Sequence, residues 1–169
     1  MQARAQGQAR ASSPARAQAQ PPSLRGRALR LLGRREFSRA ELESRLRPHT
    51  ESPEELHALL DELAERGGLS DTRFAEALVR QRKDRYGKRA IAQRLKQAGV
   101  SAEDTAAALT GMDADTEFHT ACALLQRKFR HPPADDKEKA RQVRFLQARG
   151  YTIGTTLRVL KASVTAPDC

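Results

Sequence analysis

Few residues in this 169-residue sequence combine the types and spacing that covalent chemistry needs. His119 and Cys122, three apart on a helical repeat, are the best-spaced metal donors, yet no second pair follows at finger or ribbon spacing. His49, His57 and His131 fall in polar or loop contexts, as expected of solvated side chains. The carboxylates of Asp61, Glu62 and Glu65 would suit acid–base work in a cleft, but their spacing places them on an outward helical face. Tyr86-Gly87-Lys88 lacks the preceding glycine, strand and following hydroxyl of a phosphate loop, and no GxGxxG or GxxxxGK[ST] run occurs. The sequence therefore assigns no catalytic residue, no metal and no cofactor, and a non-enzymatic binding protein is expected.

What remains is an excess of cations. Lys and Arg number 31 against 21 Asp and Glu, a formal net charge of +10 with a pI near 10.4. Such an excess suits an acidic partner, either nucleic acid or a nucleoprotein. No run reaches the roughly 18 apolar residues of a membrane span, and no basic face is backed by a Trp- and Phe-rich one, so membrane binding is set aside. Two cysteines, Cys122 and Cys169, make no disulfide framework, and no apolar secretory core follows Met1; a cytoplasmic protein is expected. Lys and Arg are spread over many segments with few amides among them, a distribution suited to phosphates or an acidic protein face rather than to reading bases. Aromatics are too few for a single-strand stacking platform, and Phe37 and Tyr86 are expected to pack.

The elements that must carry these cations are short amphipathic helices. Residues 70–101 show the pattern best: Phe74, Ala75, Leu78 and Val79 share one helical face, and Ile91, Leu95 and Ala98 share another beyond a Tyr86-Gly87 corner. Gly99 supplies a left-handed stop, and Ser101 with Asp104 reads as a new N-cap. Ser38 with Glu41 forms a capping box, Ser52-Pro53-Glu54-Glu55 opens a helix, and Gly67-Gly68 closes it. Residues 1–23, rich in Ala, Gln, Arg, Ser, Gly and Pro, bury too little to order and are expected to be a disordered basic tail.

The outline repeats. A shift of 49 lays Phe37 on Tyr86, Leu42 on Ile91, Leu46 on Leu95, Ser52 on Ser101 and Leu60 on Leu109; a shift of 51 lays Leu95 on Leu146, Gly99 on Gly150 and Leu109 on Leu160. Upstream the third copy matches at 46, Ala77-Leu78-Val79 on Ala123-Leu124-Leu125, so about five residues are inserted at His131-Pro132-Pro133-Ala134-Asp135-Asp136. The fold class expected is all-α: three tandem three-helix units over residues 24–70, 71–113 and 114–162, with a tail at 163–169. Charge follows the period, Lys/Arg against Asp/Glu running 8 to 3 over 24–50, 2 to 8 over 51–76, 8 to 1 over 77–97, 0 to 5 over 98–126 and 10 to 3 over 127–161. Stacked units would either align the basic helices into one positive surface or spend them in salt bridges between bands.

Ser70-Asp71, Arg73-Phe74-Ala75, Arg80, Arg82, Gly87, Ile91, Leu95 and Gly99-Val100, followed in order by Arg127-Lys128, Phe145-Leu146 and Arg149-Gly150-Tyr151, resemble the bacterial RecX regulatory proteins over residues 24–161. The resemblance implies an elongated, curved helical array that acts on filaments of the RecA recombinase on single-stranded DNA; the chain itself is expected to be a monomer. There it would suppress ATP hydrolysis, strand exchange and SOS coprotease activity, and so regulate repair. The sequence departs from that pattern at Gly68, Arg94 and Gly154-Thr155-Thr156. On this reading the partner contacts are Arg80, Arg82, Lys83, Arg85, Lys88 and Arg89 of the middle unit and Arg127, Lys128, Arg130 and Lys137 of the third. Phe74, Leu78, Ile91, Leu95, Phe145 and Leu146 are the expected core. The competing reading is a nonspecific DNA-binding or architectural protein whose partner is single- or double-stranded DNA itself.

Overall fold

The structure, a computed structural model, describes residues 22–129 and 131–165. The tail expected at residues 1–23 lies outside the described residues as far as residue 21, as do residues 166–169 and Arg130. Among the described residues all regular structure is helical: α1 Leu24–Leu32, α2 Arg39–Leu46, a 3-10 turn Arg47–His49, α3 Pro53–Glu65, α4 Asp71–Arg82, α5 Lys88–Gln97, α6 Ala102–Ala108, α7 Ala114–Lys128, α8 Asp136–Gln147 and α9 Ile153–Thr165.

The starts of these helices are set by side-chain caps. Ser23, Ser38, Ser52, Ser70 and Ser101 each accept the backbone N–H three residues on, as do Asp113, Asp135 and Thr152. Only α5 opens without a side-chain cap, on Gly87. The reason is tertiary. A Cβ there would stand 2.7 Å from the carbonyl oxygen of Gly150 and 2.8 Å from the Tyr151 nitrogen, so no side chain fits.

Apolar faces close into three clusters. The first joins α1, α2 and α3 around Leu42, Leu46, Leu56 and Leu60; the second joins α4, α5 and α6 around Phe74, Ala75, Ile91 and Leu95; the third joins α7, α8 and α9 around Ala121, Cys122, Leu146 and Val159. Extensive helix-on-helix packing stays within these groups. Phe145, expected in the core, is a correction: it is half-buried at the margin of the third cluster, with Phe129 at 5.4 Å between ring centroids and the Arg149 guanidinium 3.8 Å over its ring.

The groups are tied to one another by two junctions that repeat the same contacts. At the first, the buried Ser38 hydroxyl donates to the Ala98 carbonyl at 2.6 Å, and the Arg39 N–H donates to Asp71 Oδ1 at 2.7 Å. At the second, the Gly87 N–H donates to the Arg149 carbonyl at 2.9 Å, and the Lys88 N–H donates to Glu117 Oε1 at 2.7 Å. Ser38 and Gly87 differ by 49, Ala98 and Arg149 by 51, and Asp71 and Glu117 by 46, the three shifts of the repeat. A carboxylate from the following group thus occupies the N-terminal N–H of the preceding group's middle helix, where the helix dipole favours a negative charge. Gly99 and Gly150, both at positive φ (77° and 84°), complete the junctions; a Cβ on either would fall 2.7 Å or less from Ala40 or Ala90. The middle helix of the third group, α8, is capped locally instead, Asp135 accepting the Glu138 N–H and Glu138 accepting the Ala134 N–H.

Candidate functional site

Each junction leaves a groove on its surface, and the two grooves are built from equivalent positions. The first, about 450 Å³, is lined by Arg35, Glu36, Glu41, Phe74, Leu78, Gln81, Arg82 and Arg94. The second, about 390 Å³, is lined by Arg85, Tyr86, Leu124, Arg127, Lys128, Phe145 and Arg149. Under the repeat shifts Glu36 becomes Arg85, Leu78 becomes Leu124, Gln81 becomes Arg127, Arg82 becomes Lys128 and Arg94 becomes Phe145.

Their electrostatics differ. In the first groove Glu41 pairs with Arg35 at 3.0 Å and Arg94 at 3.1 Å, and Glu36 reaches Arg73 outside the groove at 3.0 Å, so two of its three cations are answered from within and Arg82 is not. No carboxylate lines the second groove, and none of the ion pairs among the described residues involves Arg85, Arg127, Lys128 or Arg149. Arg149 is held in place: its guanidinium lies on the Phe145 ring and donates to the Phe145 carbonyl at 3.2 Å. A third basic cleft, about 350 Å³, gathers Arg27, Arg30, Arg34, Arg45 and His49 on the first group.

The contact residues expected from the sequence separate on this surface. Arg85, Arg127 and Lys128 come together in the second groove. Arg82 lines the first, half-buried, with its guanidinium 5.4 Å from the Tyr86 ring centroid. Arg80 leans toward Glu76 at 3.7 Å, whereas Lys83, Lys88, Arg89 and Lys137 are exposed and line neither groove. Arg130 lies outside the described residues. Arg149 and the cations of the first group were not among the expected contacts. Arg149 was detectable as the residue preceding the repeat glycine, and the first group's cations as the first basic band.

Other candidate chemistry dissolves. Cys122 is buried while His119 is exposed, its ring 5.4 Å from that of Phe118 between centroids, and among the described residues no three His, Cys, Asp or Glu side chains are grouped to hold a metal. Asp61 and Glu62 are structural ties: Asp61 pairs with Arg39 at 2.6 Å and Glu62 with Arg25 at 2.7 Å and Arg66 at 2.8 Å. The hydrogen bond from Arg25 holds the Glu62 carboxyl below its ordinary range. Among the described residues no helix is long and apolar enough to cross a membrane.

The chain matches two family models, the second three-helix domain of RecX over residues 70–109 and the third over residues 115–160. It is 45% identical over 141 residues to the regulatory protein RecX of Ralstonia pickettii, covering 83% of this chain and 88% of that one. Against the regulatory protein RecX of a Neisseria meningitidis serogroup A strain the identity is 44% over 139 residues, covering 82% and 90%. The fold is similar to the crystal structure of RecX from Lactobacillus salivarius, with a TM-score of 0.72 over 84% of this chain and 95% of that one at 17% identity.

Proposed function

The chain belongs to the RecX family of regulatory proteins, and from that membership we propose that it is a non-catalytic modulator that binds RecA filaments on single-stranded DNA and holds down their ATP hydrolysis, strand exchange and coprotease activity. The observation that carries this reading is the 45% identity to a RecX relative over 88% of that relative's length, the middle and last groups included. The second groove supports it from the physical side. A cleft bearing four unpaired cations, set between two helical groups that are hydrogen-bonded to each other, suits an acidic surface larger than one group.

Mechanistically, an array bound across neighbouring protomers opposes the relative movements that ATP turnover requires, because it stabilises one filament state over the others. The two junctions serve this role: they anchor the start of each middle helix to the next group, so that successive groups resist separating. The test is sedimentation with preformed recombinase filaments of the chain and of the Arg82→Glu/Arg85→Glu double variant. The variant is expected to remain in the supernatant while keeping its helical circular dichroism. Co-sedimentation equal to that of the parent chain removes the middle group from the interface.

A second reading, nonspecific binding to DNA itself, is favoured by one observation, the absence of any carboxylate in the second groove. It predicts a steep salt dependence and equal affinity for bare DNA and nucleoprotein.

A further inference from the structure

We propose that the second junction groove is a phosphate seat that takes a short segment of a single strand, one nucleoside with the two phosphates flanking it, among Arg85, Arg127, Lys128 and Arg149. The proposal rests on the filament reading only for where the strand comes from in the cell; the seat itself follows from the groove.

The fold supplies an internal control. The first groove has the same origin between two groups and a similar volume, about 450 against 390 Å³, yet two carboxylates line it and Glu41 pairs with two of its three cations, Arg35 and Arg94. In the second, an arginine stands at Glu36's place and an alanine, Ala90, at Glu41's, so both acids are gone while the cations converge. The dipole of α7 accounts for cations in its last turn, Arg127 and Lys128, but not for Arg85 and Arg149 arriving from two other segments.

The ligand chemistry follows from the donors. Three guanidiniums present fork-shaped pairs of N–H groups that match phosphate oxygens two at a time, and Arg149 is already fixed over Phe145. Tyr86, Leu124 and Phe145 give the floor apolar surface beside the cations, which suits a sugar or base edge attached to that phosphate. A single carboxylate would leave most of the four cations unanswered, whereas a strand brings a further charge with each residue. Because Arg85 belongs to the chain entering α5 and the other three cations to the third group, an occupied seat ties the two groups together.

The experiment transplants the first groove into the second. Arg85→Glu with Arg127→Gln writes the residues of Glu36 and Gln81 at equivalent positions that the fold accommodates in its other copy. Lys96→Glu with Arg144→Gln changes the net charge equally at exposed positions outside both grooves. Binding of a fluorescent oligothymidine is measured by anisotropy from 0.05 to 0.5 M salt. Losing two phosphate contacts lowers the single-strand salt slope by about 1.4 and the affinity near 0.1 M by about 25-fold, whereas the control should lose under about threefold. Should the groove variant melt early, Arg127→Gln with Lys128→Gln, at exposed positions ending α7, carries the same expectation. Equal losses in groove variant and control, or no loss in either, overturn the seat. So does poly-glutamate that competes as well as the oligonucleotide, since that marks a carboxylate site. Recombinase ATP hydrolysis is read on the same variants. Strand binding lost with inhibition intact keeps the seat and detaches it from the filament contact, so the two readings fail separately.

Discussion

Gly87→Ser sets local and tertiary reasoning against each other. Serine caps five of the described helices, and Ser38 occupies the position equivalent to Gly87, so local rules expect a serine here to stabilise by roughly a few tenths of a kcal/mol. The geometry predicts the reverse. The new Cβ would lie 2.7 Å from the Gly150 oxygen and 2.8 Å from the Gly150 carbon and the Tyr151 nitrogen, all backbone atoms with no rotamer to move aside. Overpacking of this kind costs about 1–3 kcal/mol. Relief requires the second junction to open, which strains the Gly87–Arg149 bond, worth about 1 kcal/mol, and the charge-assisted Lys88–Glu117 bond, worth about 2. After the gain from capping, the net loss is about 2–4 kcal/mol, a melting temperature lower by about 5–15 °C. Thermal circular dichroism measures it, and amide exchange locates it: the Gly87 and Lys88 N–H groups should exchange faster while those in the middle of α2 keep their protection. Gly111, with nothing within 4 Å of its added Cβ, is the control, and Gly111→Ala should be neutral or slightly stabilising. A Gly87→Ser chain that melts at or above the parent temperature would refute the account of the junctions.

The two junction carboxylates should behave alike: Glu117→Gln and Asp71→Asn each replace a charged acceptor of a helix N-terminal N–H by a neutral one and should each cost about 1 kcal/mol in urea unfolding. Tyr151→Phe removes a buried hydroxyl that has no hydrogen-bond partner among the described residues, so the melting temperature should hold or rise rather than fall. The pH dependence follows from the caps. The backbone N–H of Thr116 holds Asp113 below its ordinary value, and the hydroxyls of Ser101 and Thr72 do the same for Asp104. A depressed carboxyl contributes stability above its unfolded value and loses it as pH falls through the lower folded one. Stability should therefore be flat from neutrality to about pH 5 and drop below about pH 4, with a shallower drop in Asp113→Asn.

The helices and their period were legible because both rest on short-range rules. Capping serines, the Ser52-Pro53 start and the leucine spacing act within one or two turns, and the register of 49, 51 and 46 residues carries over to the junction hydrogen bonds. Gly87 was legible as a corner but not as the point where two backbones meet, because its constraint comes from Gly150, far along the chain. The alternating charge bands left two outcomes open, and the structure uses each once: Glu41 pairs with two of the three cations in the first groove, and unpaired cations line the second. Composition cannot separate them, since what decides is whether Glu36 and Glu41 have acidic equivalents in the next repeat. Arg85, at Glu36's place, was singled out for its charge, whereas Arg149 entered only through the Arg149-Gly150-Tyr151 stretch and not as a contact.

The central claim is that the target is the filament rather than free polyanion. It is tested most directly by RecA ATP hydrolysis on saturating single-stranded DNA, titrated with this protein with and without a large excess of bare DNA added after the filaments have formed. Inhibition is expected to persist at nearly the same protein ratio in the presence of the competitor. Inhibition that disappears as bare DNA is added would contradict it and leave simple competition for phosphates in its place.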